Sequence, residues 1–175
     1  MDNLQFPIGK FTAPTVYTNE LRKEWIQILK ETPKRLTEAI ANLTPEQLNT
    51  PYRPNGWTVL QVVHHLADSH MNSFIRFKLA LTENEPTIKP YKENLWANLD
   101  DSRNVPSDIS LQLLEALHMR WVHLLESISE NDYNKMFLHP ELNKKISLNE
   151  TLALYAWHSQ HHLAHITSLK VRMNW

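Results

Sequence analysis

A chain of 175 residues, 42% hydrophobic and 21% charged, is the size of one globular domain, whose core can bury roughly 70% of the unfolded surface. Its formal charge of -1 supplies no field to gather nucleic acid or an anionic membrane, so the expected partner is a small molecule. Zero cysteines exclude disulfides, thiolate metal sites and a cysteine nucleophile, and suit a reducing cytoplasm, while two glycines, Gly9 and Gly56, exclude a glycine-rich phosphate loop or dinucleotide fingerprint.

The N-terminal stretch through Pro7 has no basic run followed by an apolar one. No later segment carries about 18 consecutive apolar residues, so neither a secretory leader nor a membrane span is expected. Leu21, Trp25, Ile28, Leu29, Leu36 and Ile40 recur at helical spacing after a Thr18 cap, predicting a first helix to about residue 42 with a bend at Pro33. Thr44-Pro45-Glu46-Gln47 reads as a short capped turn of helix. Thr58 and Gln61 repeat the capping signature and open a second long helix running to about Leu81.

The stretch from Thr82 to Ser107 contains Pro86, Pro90 and Pro106, with a short helix expected near Glu93 to Leu99. A connection of that length commonly packs over a site. Ser107 or Asp108 is the expected cap of a third helix carrying Leu111, Leu114, Leu117, Trp121, Leu124, Leu125 and Ile128. Residues 131–146, around Pro140, read as irregular, and Ser147 with Glu150 opens the last helix. Four long helices without credible strands predict an all-α fold, a four-helix bundle forming one domain over residues 1–175, its long connection permitting a crossover.

Ten histidines stand out, and four of them, His158, His161, His162 and His165, fall on the last helix. Residues three, four and seven apart share a helical face, so His158, His162 and His165 can line one stripe with His161 at its edge. A second cluster, His64, His65 and His70, lies on the second helix. Facing helices of a bundle converge side chains on the interior, so the two clusters point to a divalent metal held by imidazoles. Three histidines leave a fourth coordination position open and cancel none of the ion's charge, which suits catalysis better than a structural role.

Spacing leaves the ligands open, because His158 with His162 and His161 with His165 are both i, i+4 pairs. His65 is the better inward residue of its pair, since Asp68, Ser69, Asn72 and Arg76 follow it on one polar face, whereas Ala67, Met71 and Ile75 follow His64. Asp68, His161 and His165 are candidate catalytic groups, and Asn72, Arg76 and Trp57 candidate substrate contacts. Against these stand blander readings. Isolated His118, His123 and His139 are expected to be solvated or hydrogen-bonded in place, and His70 structural or at the surface. The clusters could also form a pH-sensing patch. Arg76 could pair with Asp68 rather than a substrate carboxylate, Trp57, Trp96 and Trp157 could be core, and Ser69 has no evident oriented base.

The run Tyr52-Arg53-Pro54-Asn55-Gly56-Trp57-Thr58-Val59-Leu60-Gln61-Val62-Val63-His64-His65-Leu66-Ala67-Asp68-Ser69-His70-Met71-Asn72-Ser73 and the run Trp157-His158-Ser159-Gln160-His161-His162-Leu163-Ala164-His165-Ile166 resemble the YfiT branch of the DinB-like superfamily. The likeness extends from Phe6-Pro7-Ile8-Gly9 to Arg172-Met173-Asn174-Trp175. It implies a four-helix bundle with one divalent metal on His65, His158 and His162, with Zn2+ the usual ion and Ni2+ an alternative. It also implies a cytoplasmic homodimer. The expected function is metal-dependent hydrolysis of a small substrate; the alternatives are transfer of an external thiol such as bacillithiol to an electrophile, as in related S-transferases, and a non-catalytic metal-dependent stress-response binding protein.

Overall fold

The computed structural model describes residues 2–175, with side chains from residue 4 onward. The reading of the N-terminus as free of a leader falls partly on residues 1–3, outside the described side chains. Four long helices dominate: α2 (Asn19–Ile40), α4 (Val59–Thr82), α7 (Ser107–Ser127) and α8 (Leu148–Met173). Four single-turn helices accompany them: α1 (Asp2–Gln5), α3 (Pro45–Leu48), α5 (Glu93–Trp96) and α6 (Asp101–Asn104). Among the described residues no helix is long and apolar enough to cross a membrane.

Local chemistry sets most of the helix starts. Thr18 Oγ1 accepts from the Leu21 N–H at 3.3 Å, and Thr44 with Gln47 closes a reciprocal capping box. At α4, Thr58 Oγ1 accepts from the Gln61 N–H at 3.1 Å while the Gln61 side chain accepts from the Thr58 N–H at 2.9 Å. Ser147 caps α8 by accepting from the Glu150 N–H at 3.1 Å, but the Glu150 carboxylate turns to Lys144 at 2.6 Å, so only half of that box forms. The expected Ser107 or Asp108 cap of α7 is corrected: Pro106 holds the cap position, and neither side chain makes a cap bond.

Residues 131–146 are not wholly irregular. After a 3-10 turn at Asp132–Asn134, strands β1 (Met136–His139) and β2 (Lys144–Ser147) form an antiparallel hairpin that pairs Phe137 with Ile146. Both of these side chains are buried, so the hairpin is held by its packing against the bundle. It also fastens the long connection, as Leu138 exchanges backbone hydrogen bonds with Pro86 and Ile88. Farther along, Gln61 Nε2 donates to the Ala97 carbonyl at 2.6 Å. The connection therefore lies pinned across the bundle; the helix expected over Glu93 to Leu99 is the single turn α5, and α6 follows beyond it as a further turn that the sequence reading did not expect.

α2 packs along both α7 and α8, and α4 does the same, which sets α2 opposite α4 and α7 opposite α8. The successive helices α2 and α4, and likewise α7 and α8, thus sit across the bundle diagonal, while α4 and α7, joined by the long connection, pack side by side. The apolar core falls into two clusters. One gathers Leu29, Phe77, Trp121, Leu125 and Leu152; the other gathers Leu36, Val63, Leu66, Leu114 and Ile166. Between them along α4, α7 and α8 lie His65, His70, His118, His158 and His162, a polar layer inside the bundle.

Candidate metal centre

α4 and α8 bring His65, His158 and His162 together, each offering one ring nitrogen within 4.8 Å of the others. Nε2 of His65 stands 3.2 Å from Nε2 of His158. Two imidazole nitrogens bound at 2.0–2.1 Å to one tetrahedral ion would be separated by about 3.3 Å, so the observed spacing fits a shared divalent cation. Three uncharged nitrogen donors also match a borderline ion such as Zn2+ or Ni2+ better than an oxygen-seeking one. His64, by contrast, is turned toward α7. Its Nδ1 meets Ser110 Oγ at 2.6 Å and its Nε2 meets the Val105 carbonyl at 3.1 Å.

His162 is oriented by its neighbour. His165 Nε2 lies 3.0 Å from the Gln5 carbonyl, an obligate acceptor, so that nitrogen carries the hydrogen and His165 Nδ1 is bare. His162 Nδ1 is 3.4 Å from it and donates, which leaves His162 Nε2 free to face the other ligands. His165 is further held by Tyr52, whose ring stacks on it at 3.9 Å. His165 lines the ligand cavity with both its nitrogens engaged.

Burial keeps these rings neutral. It pushes His65 down to about 3, with the charges of His165 and His161 adding to the effect, and holds His158 and His162 well below the ordinary imidazole range. A neutral ring is the state that binds a metal, so no proton has to be displaced near neutral pH.

The ligands open on a cavity of about 430 Å³ lined by Tyr52, Arg53, Trp57, Trp157 and His161. A tight turn presents its aromatic wall: the Gly56 N–H bonds to the Arg53 carbonyl at 2.9 Å, and the Tyr52 N–H to the Trp57 carbonyl at 3.0 Å. Trp57 lies over His65 at 4.6 Å and parallel to His162 at 6.3 Å, while Trp157 stacks on His161 at 4.4 Å. Among the described residues His161 Nδ1 is buried without a partner. A second cavity of about 510 Å³ reaches His158 from the other side, lined by Ser69, Arg76, Tyr91, His139 and Tyr155. Glu93, Asn94 and His158 border both.

Not every residue of the polar stripe reaches these cavities. Asn72 Nδ2 donates to the Asp68 carbonyl at 2.9 Å, a bond within its own helix, and Asn72 borders neither cavity. Asp68 borders neither one, and its carboxyl is raised to about 6 by burial and then by the charge of Asp101. The expected Asp68–Arg76 pair does not form; among the described residues Arg76 has no carboxylate partner. Trp96 packs on Tyr91 at 4.6 Å instead of walling the ligand cavity. His123 is exposed, and His139 borders the second cavity. Sequence reasoning passed over Glu93, the one carboxylate among the described residues lining the ligand cavity. The residue is exposed, yet partial burial of its carboxyl raises its pKa. Its place opening a short helix in a long connection gave no periodic signal.

A helical bundle with three convergent histidines on facing helices defines a class of metal-site proteins, and the comparisons agree. Residues 28–166 match the DinB superfamily, and the chain belongs to it. A Bacillus cereus (strain 03BB102) protein named "Putative metal-dependent hydrolase" is 56% identical over 175 residues, covering 100% of both chains. A Bacillus anthracis (strain A0248) protein of the same name is 55% identical over 175 residues, again covering 100% of both. The structure of YfiT from Bacillus subtilis, described as "a probable metal-dependent hydrolase with an unusual four-helix bundle topology", superposes with a TM-score of 0.97 at 50% identity over 99% of each chain. A mycothiol-dependent maleylpyruvate isomerase shares the fold at a TM-score of 0.66 and 16% identity, over 83% of this chain and 60% of that one.

Proposed function

We propose that this chain is a metal-dependent hydrolase of a small substrate, with His65, His158 and His162 holding one divalent ion, Zn2+ by preference and Ni2+ as an alternative. The observation that carries this reading is the set of three ligand nitrogens within 4.8 Å of one another at the wall of an open cavity. When bound, such an ion supplies Lewis acidity that lowers the pKa of water towards 7. The chain supplies the rest. Glu93 accepts the proton from attacking water, since it is the carboxylate bordering the cavity and its raised pKa brings it closer to working pH. His161, with an unpartnered Nδ1, holds a substrate polar group. Trp57 and Trp157 exclude bulk water around the reacting bond. Arg76, without a carboxylate partner in the second cavity, receives an anionic group of the substrate. The relatives' names support the hydrolase reading for a chain of the same length and family.

One observation favours a second reading: two cavities meet at His158, room for two reactants. In that case the ion would hold an external thiol, bacillithiol for instance, as thiolate for attack on an electrophilic carbon, because the chain has no cysteine of its own. We place either reaction in the cytoplasm of a cell, carried out by a homodimer. The test is a screen of protein loaded with Zn2+ or Ni2+ against esters, amides and a chlorinated aromatic electrophile, with and without bacillithiol. Metal-dependent cleavage of an ester or amide without thiol supports hydrolysis. Turnover that requires both metal and thiol replaces it with S-transfer.

A further inference from the structure

Two buried histidines that ligate nothing in this scheme, His70 and His118, form a chain leading to a ligand. His118 Nδ1 lies 2.6 Å from the Leu29 carbonyl oxygen. A carbonyl only accepts, so Nδ1 carries the hydrogen and Nε2 of the neutral ring is bare. That Nε2 stands 2.7 Å from His70 Nδ1, which therefore donates and leaves His70 Nε2 bare in turn. His70 Nε2 is 3.2 Å from His158 Nδ1. His158 thus also carries its hydrogen on Nδ1 and turns an unprotonated Nε2 toward His65. One backbone oxygen sets the tautomer of three rings in series.

The rest of the fold protects this order. Pro33 stands four residues after Leu29 on α2, and having no N–H it cannot take the Leu29 carbonyl for the helix ladder. His70 is 0% and His118 2% exposed, so water does not offer the rings other partners. They stack at 4.9 Å with 18° between their planes, and Trp121 meets both edge-on. The chain begins at His158 on α8, passes through His70 on α4 and His118 on α7, and ends on α2. It joins all four long helices at the polar layer between the two core clusters.

We propose that His70 and His118 are positioning residues of the metal centre, fixing His158 in the Nδ1–H tautomer with its Nε2 presented to the ion. The proposal rests on the three-histidine metal reading above. Groups that hold a metal-bound imidazole in this way typically contribute 10–100-fold in metal affinity. His118→Phe keeps a planar ring but offers His70 no acceptor. The His70 hydrogen is then buried without a partner or shifts to Nε2, and His158 is freed to protonate the wrong nitrogen. His118→Gln can restore an acceptor oxygen near the former Nε2.

The experiment combines chelator-competition titration of Zn2+ with long-range 1H–15N spectra of the histidine rings, on wild type, His118→Phe and His118→Gln. Wild type is expected to show His158, His70 and His118 all protonated on Nδ1, and His165 on Nε2, with and without Zn2+. His118→Phe is expected to bind Zn2+ about 10–100-fold more weakly, and His118→Gln to recover most of that loss. Hydrogen on Nε2 of His70 or His118 in wild type overturns the proposal without needing any variant to fold. So does a folded His118→Phe that binds Zn2+ as tightly as wild type. Should wild type bind no Zn2+ at all, the metal reading fails, while the spectra still decide the hydrogen-bond chain.

Discussion

Nε2 of His65 on α4 faces Nε2 of His158 on α8 across 3.2 Å. Two neutral rings in that arrangement can share a single hydrogen, whereas a cation lets both nitrogens act as donors of electron pairs to one centre. The pair is thus built for an ion more than for itself. His65→Ala or His162→Ala is expected to lower metal affinity by at least about 100-fold, beyond the usual effect of an outer hydrogen-bond partner. Helix content should hold, because the ligands belong to the polar layer between the two core clusters and to neither cluster itself. His161→Ala, which removes a cavity wall but no ligand, should cost far less. Titration with circular dichroism checks all three, and equal losses for His161→Ala and His162→Ala would show the wrong pair was chosen.

Glu93→Gln separates metal binding from chemistry. The amide keeps the shape of the cavity wall but cannot accept a proton, so metal affinity should stay within about 2-fold while turnover of a cleaved substrate falls by about 100-fold or more. Unchanged turnover would remove Glu93 from the reaction.

How the site relates to the sequence is plainest in its histidines. The four long helices and the caps at Thr18, Thr44 and Thr58 were legible because spacing and capping are local signals. The hairpin Met136–His139 with Lys144–Ser147 was not, since strands of four residues are too short for an alternating pattern to show. His65 could be favoured over His64 from its polar companions, yet Asn72 and Asp68, two of those companions, turn out to border neither cavity. His118 looked isolated because its partner His70 is 48 residues away and the two meet only through the packing of α4 against α7. Glu93 lies in a connection whose path is set by long-range bonds such as that from Gln61 to Ala97.

Acid should unfold the metal-free protein. His65 is held at about 3 and His118 at about 4, each first by burial, and His70, His158 and His162 lie well below 6.5 for the same reason. In the unfolded chain these rings protonate near 6.5, so below that pH the unfolded state binds more protons and stability falls as pH falls. Asp68, raised to about 6, works the other way: its contribution is present below 3.8 and is lost as pH rises through about 6. Glu93, also raised by burial, acts in the same direction, so two carboxyls oppose several imidazoles, each group worth at most about 1.4 kcal/mol per pH unit. Urea midpoints should drop steadily from about pH 6.5 to 4.5. A flat profile would mean that the folded state protonates these rings as readily as the unfolded one.

Gly56→Ala should damage the aromatic wall. A Cβ there would sit 2.7 Å from Arg53 Cγ, 3.1 Å from the Arg53 carbonyl oxygen and 3.3 Å from a Tyr52 ring carbon. The fixed carbonyl and the Tyr52 ring stacked on His165 leave little room to yield. A loss of about 1–3 kcal/mol is expected from such overpacking, read as a lower urea midpoint. Unchanged stability would show that the turn adjusts freely.

The most direct test of the central claim is the metal content of purified protein, measured by elemental analysis alongside a variant in which His65, His158 and His162 are all alanine. The account predicts about one divalent transition-metal ion per wild-type chain and none in the triple variant. A wild type that retains no such metal, or a folded triple variant that retains as much as wild type, would contradict it.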